Sequence, residues 1–189
     1  KINSKSVEKA AKIILKSKRP VIWAGGGVNL SNASKELLAL ADYLQIPILT
    51  TPEGKGSISD KHYLSIGTPQ GRSTGNSKDA LRDFFYTCDV ILAVGTRFAY
   101  ADPKASQYVI QIDIDPKEIG RNHKNTLGIL GDARQVLLQL LKSVKTKIKP
   151  EQKQKKTFSK MRFNRYNNPA NLIEPLASYI NAIRLGIPD

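Results

Sequence analysis

At 189 residues the chain is long enough for one well-buried domain with an arm attached. Its 40% apolar and 24% charged residues suit a globular protein, and no apolar run approaches the roughly 20 residues of a membrane-spanning helix. The formal charge of +14 invites a nucleic-acid partner, but much of that excess is confined to one stretch near the end of the chain.

In chain order, Val7, Ala10, Ala11, Ile14 and Leu15 recur at helical spacing, with Ser4 or Ser6 as N-cap. Pro20 to Ala24 reads as a buried strand. Three glycines follow, Gly25-Gly26-Gly27, and then a helix opening near Ser31 or Asn32 with Leu37, Leu38, Leu40, Ala41 and Leu44 inward. A strand, a turn without side chains and a helix bring bare backbone close to a phosphate; glycine also tolerates φ > 0 in such a turn. Ile46 to Thr51 is the next strand, followed by a long loop from Pro52 to Thr74. Ser77 to Tyr86 is helical, Cys88 heads an apolar run, and Val90 to Val94 is a strand ending at Gly95-Thr96-Arg97. Cys88 is the one cysteine, so no internal disulfide forms; it reads as a buried structural thiol in a reducing, cytoplasmic compartment. Tyr108 to Ile114 and Leu127 to Leu130 are strands, and Gly131-Asp132 leads into a helix from Ala133 to Val144. From Lys142 to Arg165 ten basic residues face the single acid Glu151, a solvated connector that disfavours nucleic acid as a specific partner. Glu151 to Tyr166 reads as a polar helix, and Asn171 to Leu185 as an amphipathic one. The chain starts at Lys1 and reads as a piece of a longer protein.

Strands without period-2 alternation, separated by helices, predict an α/β fold: a doubly wound, six-stranded parallel sheet with a C-terminal helical arm. Right-handed crossovers then bring every strand's C-terminal end to one edge, where ligands of open parallel sheets bind. Gly25 to Gly27, Thr50-Thr51, Gly95 to Arg97, Asp113 and Gly131-Asp132 all fall on that edge and suggest a nucleotide-shaped crevice. Taken singly, each is equally well a turn residue or a helix cap. His62 and His123 lack ligand company, so no metal site is expected. Asp113 and Asp115 read as a ribose contact plus a turn cap rather than an acid–base pair. Lys55, between glycines, faces either a phosphate or water, and Trp23 is core. No Ser-His-Asp or Cys-His constellation exists, so no catalytic residue is assigned.

In this order and spacing, several segments resemble the middle domain of thiamine-diphosphate enzymes of the acetolactate synthase type. They are Arg19-Pro20-Val21-Ile22-Trp23-Ala24-Gly25-Gly26-Gly27, Ile46-Pro47-Ile48 leading to Thr50-Thr51, Gly54-Lys55-Gly56, Val94-Gly95-Thr96-Arg97-Phe98, Ile112-Asp113-Ile114-Asp115-Pro116-Lys117-Glu118-Ile119-Gly120 and Leu130-Gly131-Asp132-Ala133. The resemblance implies a Rossmann-like, DHS-like nucleotide-binding domain over residues 1–145, a basic linker over 146–168, and the start of a diphosphate-binding domain over 169–189. It implies an intact homodimeric or tetrameric enzyme acting on 2-oxo acids with thiamine diphosphate and magnesium, both held by domains outside this segment. The segment itself would then be catalytically silent, its partners the remaining domains of the parent chain. The family's middle domain holds FAD, ADP or nothing. By resemblance, the binding positions map to Gly25, Gly26, Gly27, Thr51, Pro52, Gly67, Thr68, Gly95, Thr96, Arg97, Asp113, Ile114, Asp132 and Ala133.

Two departures bear on the ligand. Flavin-binding members follow Arg-Phe with Asp-Asp-Arg or Ala-Asn-Arg, whereas this chain has Ala99-Tyr100-Ala101 and lacks the second arginine. A Met-His-Gly type loop is replaced by Thr68-Pro69-Gln70-Gly71. FAD, an adenine nucleotide and an empty crevice therefore all stay open. So do an acyl-CoA-type thiamine enzyme such as a 2-hydroxyacyl-CoA lyase as the parent, and a free-standing NAD-binding domain.

Overall fold

The computed structural model describes residues 2–69, 76–99 and 101–147. The polar and amphipathic helices expected after Lys147, and the last two predicted segments from residue 148 onward, lie outside them. Six strands form one sheet: β1 (Pro20–Ala24), β2 (Ile48–Thr50), β3 (Ser65–Gly67), β4 (Val90–Val94), β5 (Tyr108–Asp113) and β6 (Thr126–Leu130). Their order is β3-β2-β1-β4-β5-β6, and every pairing is parallel. The chain builds outward from β1 in one direction, then returns to β4 and builds in the other. This reversal makes the sheet doubly wound and sets a switch point between β1 and β4.

All five residues of β1 and all five of β4 are buried, which explains the missing alternation. On one face α1 (Ser4–Lys16), α3 (Ser34–Leu44) and α5 (Ala133–Lys145) pack over Ile22, Ile48, Leu92, Ile110, Ile112 and Ile129. The other face carries α4 (Asn76–Thr87) over Val21, Leu49, Ile91 and Val109. Trp23 sits there as expected, 4.9 Å from the Phe85 ring and 5.7 Å, edge-on, from Phe98. Burying each such ring contributes about 1.5–3 kcal/mol.

Local chemistry corrects several expectations. The cap of α1 is Asn3, whose Oδ1 accepts from the amides of Lys5 at 3.0 Å and Ser6 at 3.3 Å; Ser4 and Ser6 lie inside the helix. The long loop expected after Thr51 contains β3. The second strand starts at Ile48 rather than Ile46, because Pro47 has no N–H for the ladder, although its carbonyl accepts from Ile22 N at 2.9 Å. No loop separates the glycines from a helix at Ser31. The chain instead enters a short helix, α2 (Gly26–Leu30), at once, and Ser31 ends it. Asn32, at φ 51°, turns the chain into α3, whose cap position is Ala33.

The glycines have a different reason from the one expected. Gly25, Gly26 and Gly27 are not in the left-handed region. A Cβ on Gly25 would run into Gly95 O, and one on Gly27 would sit 2.6 Å from Gly95 Cα. Gly95 itself has φ +57°, and its own Cβ would be 2.6 Å from Gly27 Cα. Two bare backbones cross there, locked by Gly25 N to Val94 O and Gly27 N to Gly95 O, both 2.9 Å.

Candidate functional site

Because the sheet is all parallel, the C-terminal ends of its strands share an edge. There, over the switch point, lies a crevice of about 600 Å³, a size typical of small-molecule sites. Each strand-end cluster named from sequence contributes to it: Gly26 and Gly27, Thr51, Gly95, Thr96 and Arg97, Asp113 and Ile114, and Asp132 and Ala133. Four of the expected positions are not brought to its wall. Gly25 is buried in the glycine crossing, and Pro52 is exposed beside it. Gly67 ends the outer strand β3, and Thr68 exchanges a 2.8 Å hydroxyl contact with Thr50.

The walls differ in chemistry. Arg97 is exposed, and among the described residues its guanidinium has neither a carboxylate nor a hydrogen-bond acceptor; it is also the one cation on the described wall. Three carboxylates line the crevice: Glu53, Asp113 and Asp132. Asp132 caps α5, its Oδ1 accepting from Gln135 N at 3.0 Å. The Asp113 Oδ1 accepts from Asp115 N at 3.0 Å, and Asp115 Oδ1 from Lys117 N at 2.9 Å. Asp113 is thus a turn cap and Asp132 a helix cap, and each retains a second oxygen able to accept from a ligand hydroxyl. At the rim, Leu30 is 89% and Ile114 74% exposed. A large aliphatic side chain left so bare beside the cleft suits the face of a flat ring.

The chain over 7–140 matches the family model described as the thiamine pyrophosphate enzyme central domain. The chain belongs to that family. Among curated relatives it is 44% identical over 143 residues to a probable acetolactate synthase large subunit of Methanocaldococcus jannaschii, covering 71% of this chain and 23% of the relative. Against the acetolactate synthase large subunit of Corynebacterium glutamicum it is 36% identical over 152 residues, covering 76% and 23%. Against that of Buchnera aphidicola it is 33% identical over 184 residues, covering 89% and 31%. The chain therefore spans about a quarter of the length of the first of these relatives.

Residues that tempted the sequence reading have settled roles in this central domain. Lys55 pairs with Asp60 at 2.6 Å and is not on the crevice wall. His62 lies 3.4 Å from Asp42, and His123 Nε2 meets Gln107 O at 3.0 Å; no metal-ligand cluster exists among the described residues. Cys88 is buried, its Sγ donates to Phe84 O at 3.4 Å, and burial pushes the thiol up to about 12, so it is inert.

Three contributors were missed. Glu53 lines the crevice from within the stretch read only as a loop. Asn29 Nδ2 donates to Glu53 O at 3.2 Å and Lys55 O at 3.1 Å, tying α2 to that loop. Gln111 is a buried amide on β5. The signal for Gln111 was available: it is a polar residue inside a strand whose apolar neighbours on either side declare both faces covered.

Proposed function

We propose that this chain is the nucleotide-seating central domain of a thiamine-diphosphate-dependent 2-oxo acid carboligase, and that its crevice holds an adenosine diphosphate moiety, either as ADP or as half of FAD. Family membership and similarity to acetolactate synthase large subunits support the parent activity, with its 2-oxo acid substrates, oligomeric assembly and cytoplasmic setting. Thiamine diphosphate, when bound by the other domains with magnesium, supplies the carbanion chemistry at the 2-oxo carbon. This segment would contribute no reacting group and would be silent alone.

The observation that carries the nucleotide reading is the pairing of one guanidinium, uncommitted among the described residues, with two capping aspartates, Asp113 on a turn and Asp132 on α5, across a cleft at the switch point. Arg97 would meet the diphosphate, a charge-assisted contact of about 1.5–3 kcal/mol. Asp113 would accept from the ribose, as an acidic strand end does in other doubly wound folds. Gly26 and Gly27 place no side chain on the crevice wall, so a ligand there would meet backbone. With Ala101 where flavin-binding members have a second arginine, a single arginine answers the diphosphate, so affinity is modest. The fit favours a nucleotide over an empty crevice, because a solvent-filled cleft gives no reason to keep Leu30 and Ile114 bare.

Calorimetric titration of the 189-residue chain with FAD, ADP and NAD tests this reading. Stoichiometric binding of FAD or ADP is expected, and turnover of NAD would contradict it.

A further inference from the structure

Gln111 lies in β5 with 2% of its surface exposed, on the sheet face that also carries Val109. A buried primary amide needs partners, and this one takes all three from backbone. Its Nε2 donates to Thr96 O at 3.2 Å and to Glu118 O at 3.0 Å, and its Oε1 accepts from Gly120 N at 2.9 Å. Thr96 belongs to the loop after β4, which carries Arg97. Glu118 and Gly120 belong to the turn that follows Asp113 and Ile114. The turn at Gly120 has φ +70°, and the loop after β4 holds Gly95 and Phe98 at φ +57° and +56°. Neither segment is held by a regular ladder; two side chains fix one against the other, Gln111 from the buried side and Asn122, whose Nδ2 donates to Arg97 O at 2.7 Å, from the exposed side.

We propose that Gln111 is a positioning residue that couples the two loops walling the crevice, setting the distance between the guanidinium of Arg97 and the carboxylate of Asp113. It touches no ligand itself. An apolar side chain of the same size would leave the Thr96 carbonyl and the Gly120 amide without partners and Glu118 O with only the 3.3 Å bond from Arg121 N, so the loops would loosen against each other with Asn122 as their remaining side-chain link. The ligand half of the proposal rests on the nucleotide reading above; the coupling half does not.

The test compares wild type, Gln111→Leu and Gln111→Glu by amide hydrogen exchange, with calorimetric titration of FAD and ADP alongside. Gln111→Leu is expected to speed exchange at the Gly120 and Phe98 amides while the strand amides of Gly95 and Val109, bonded to Ile112 O and Asn125 O, keep their protection. Gln111→Glu retains the acceptor toward Gly120 but can donate to at most one of the two carbonyls, so Gly120 stays protected while Phe98 loosens. Both variants should bind whichever nucleotide the wild type takes at least roughly tenfold more weakly. Unchanged loop exchange, or loosened loops with wild-type affinity, overturns the proposal. Loss of protection spread evenly through Gly95 and Val109 also overturns it, because Gln111 would then be ordinary core. Should Gln111→Leu fail to fold, Gln111→Glu alone decides by the split between Gly120 and Phe98. If wild type binds neither nucleotide, the nucleotide reading falls and the exchange pattern by itself decides the coupling.

Discussion

The two ends of the sheet treat polar groups in opposite ways. At the N-terminal edge they are consumed by the fold. Asp89 accepts from the amides of Lys18 at 2.8 Å and Arg19 at 3.0 Å and from the Ser17 hydroxyl, closing the turn before β1. Burial would raise its carboxyl, but these donors together hold it below its ordinary value. Gln107 donates to Phe85 O and Cys88 O at 2.8 and 2.9 Å, and Tyr63 donates to Asp42 at 2.9 Å. At the C-terminal edge the caps are half-committed, an arginine has no partner among the described residues, glycines replace side chains and two aliphatics face water. One end is finished by the chain itself. The other has the features of a surface completed by something else.

This contrast orders the consequences of substitution. Gly95→Ala should have the largest effect on stability, about 2–4 kcal/mol in denaturant unfolding, because the new Cβ meets Gly27 Cα at 2.6 Å from a left-handed backbone. Asp89→Ala should follow at about 1–3 kcal/mol near neutral pH, leaving two backbone amides and a hydroxyl unanswered. Its folded-state carboxyl is depressed, so its contribution is full above the ordinary carboxylate value of 3.8 and fades as pH falls through the folded one. The gap between wild type and Asp89→Ala should therefore shrink in acid melts below pH 3.8.

Glu36→Gln comes next, at about 1 kcal/mol by thermal unfolding, since it breaks the 2.9 Å pair with Arg134 that joins α3 to α5. Burial alone would raise the Glu36 carboxyl, yet the hydrogen bond and charge of Arg134 bring it below its ordinary 4.5, so this contribution too is lost only in acid. Arg97→Ala should change stability by no more than about 0.5 kcal/mol, because the side chain pairs with nothing described. The same change should weaken FAD or ADP binding roughly ten- to a hundredfold in calorimetry. Stability and ligand effects that track each other across Asp89→Ala and Arg97→Ala would erase the contrast between the two ends.

Much of this was legible in the chain. β1 and β4 are unbroken apolar runs, β5 is one interrupted only by Gln111 before its closing Asp113, and the Asp132 cap announced α5. The sharing of one edge by the strand ends followed from parallel pairing alone. β3 was not legible, because Ser65-Ile66-Gly67 offers three residues with no pattern, and pairing with β2 creates the strand. Nor was α2, since Gly-Gly is a poor helix start and only the crossing over Gly95 fixes it. Asn3 outcompeted Ser4 and Ser6 for reasons of geometry that propensity does not rank. At the site, the strand-tip residues were readable, whereas Glu53 and the bracing by Asn29 depend on how a loop folds back.

The most direct measurement of the central claim is an amide chemical-shift map of the chain titrated with ADP and, separately, with FAD. The account predicts perturbations confined to Gly26, Gly27, Thr96, Arg97, Asp113 and Ile114, with Asp89, His62 and Gln107 unmoved and the effect abolished in Arg97→Ala. Perturbations centred on the Asp89 end, or none from either nucleotide at millimolar concentration, would contradict it.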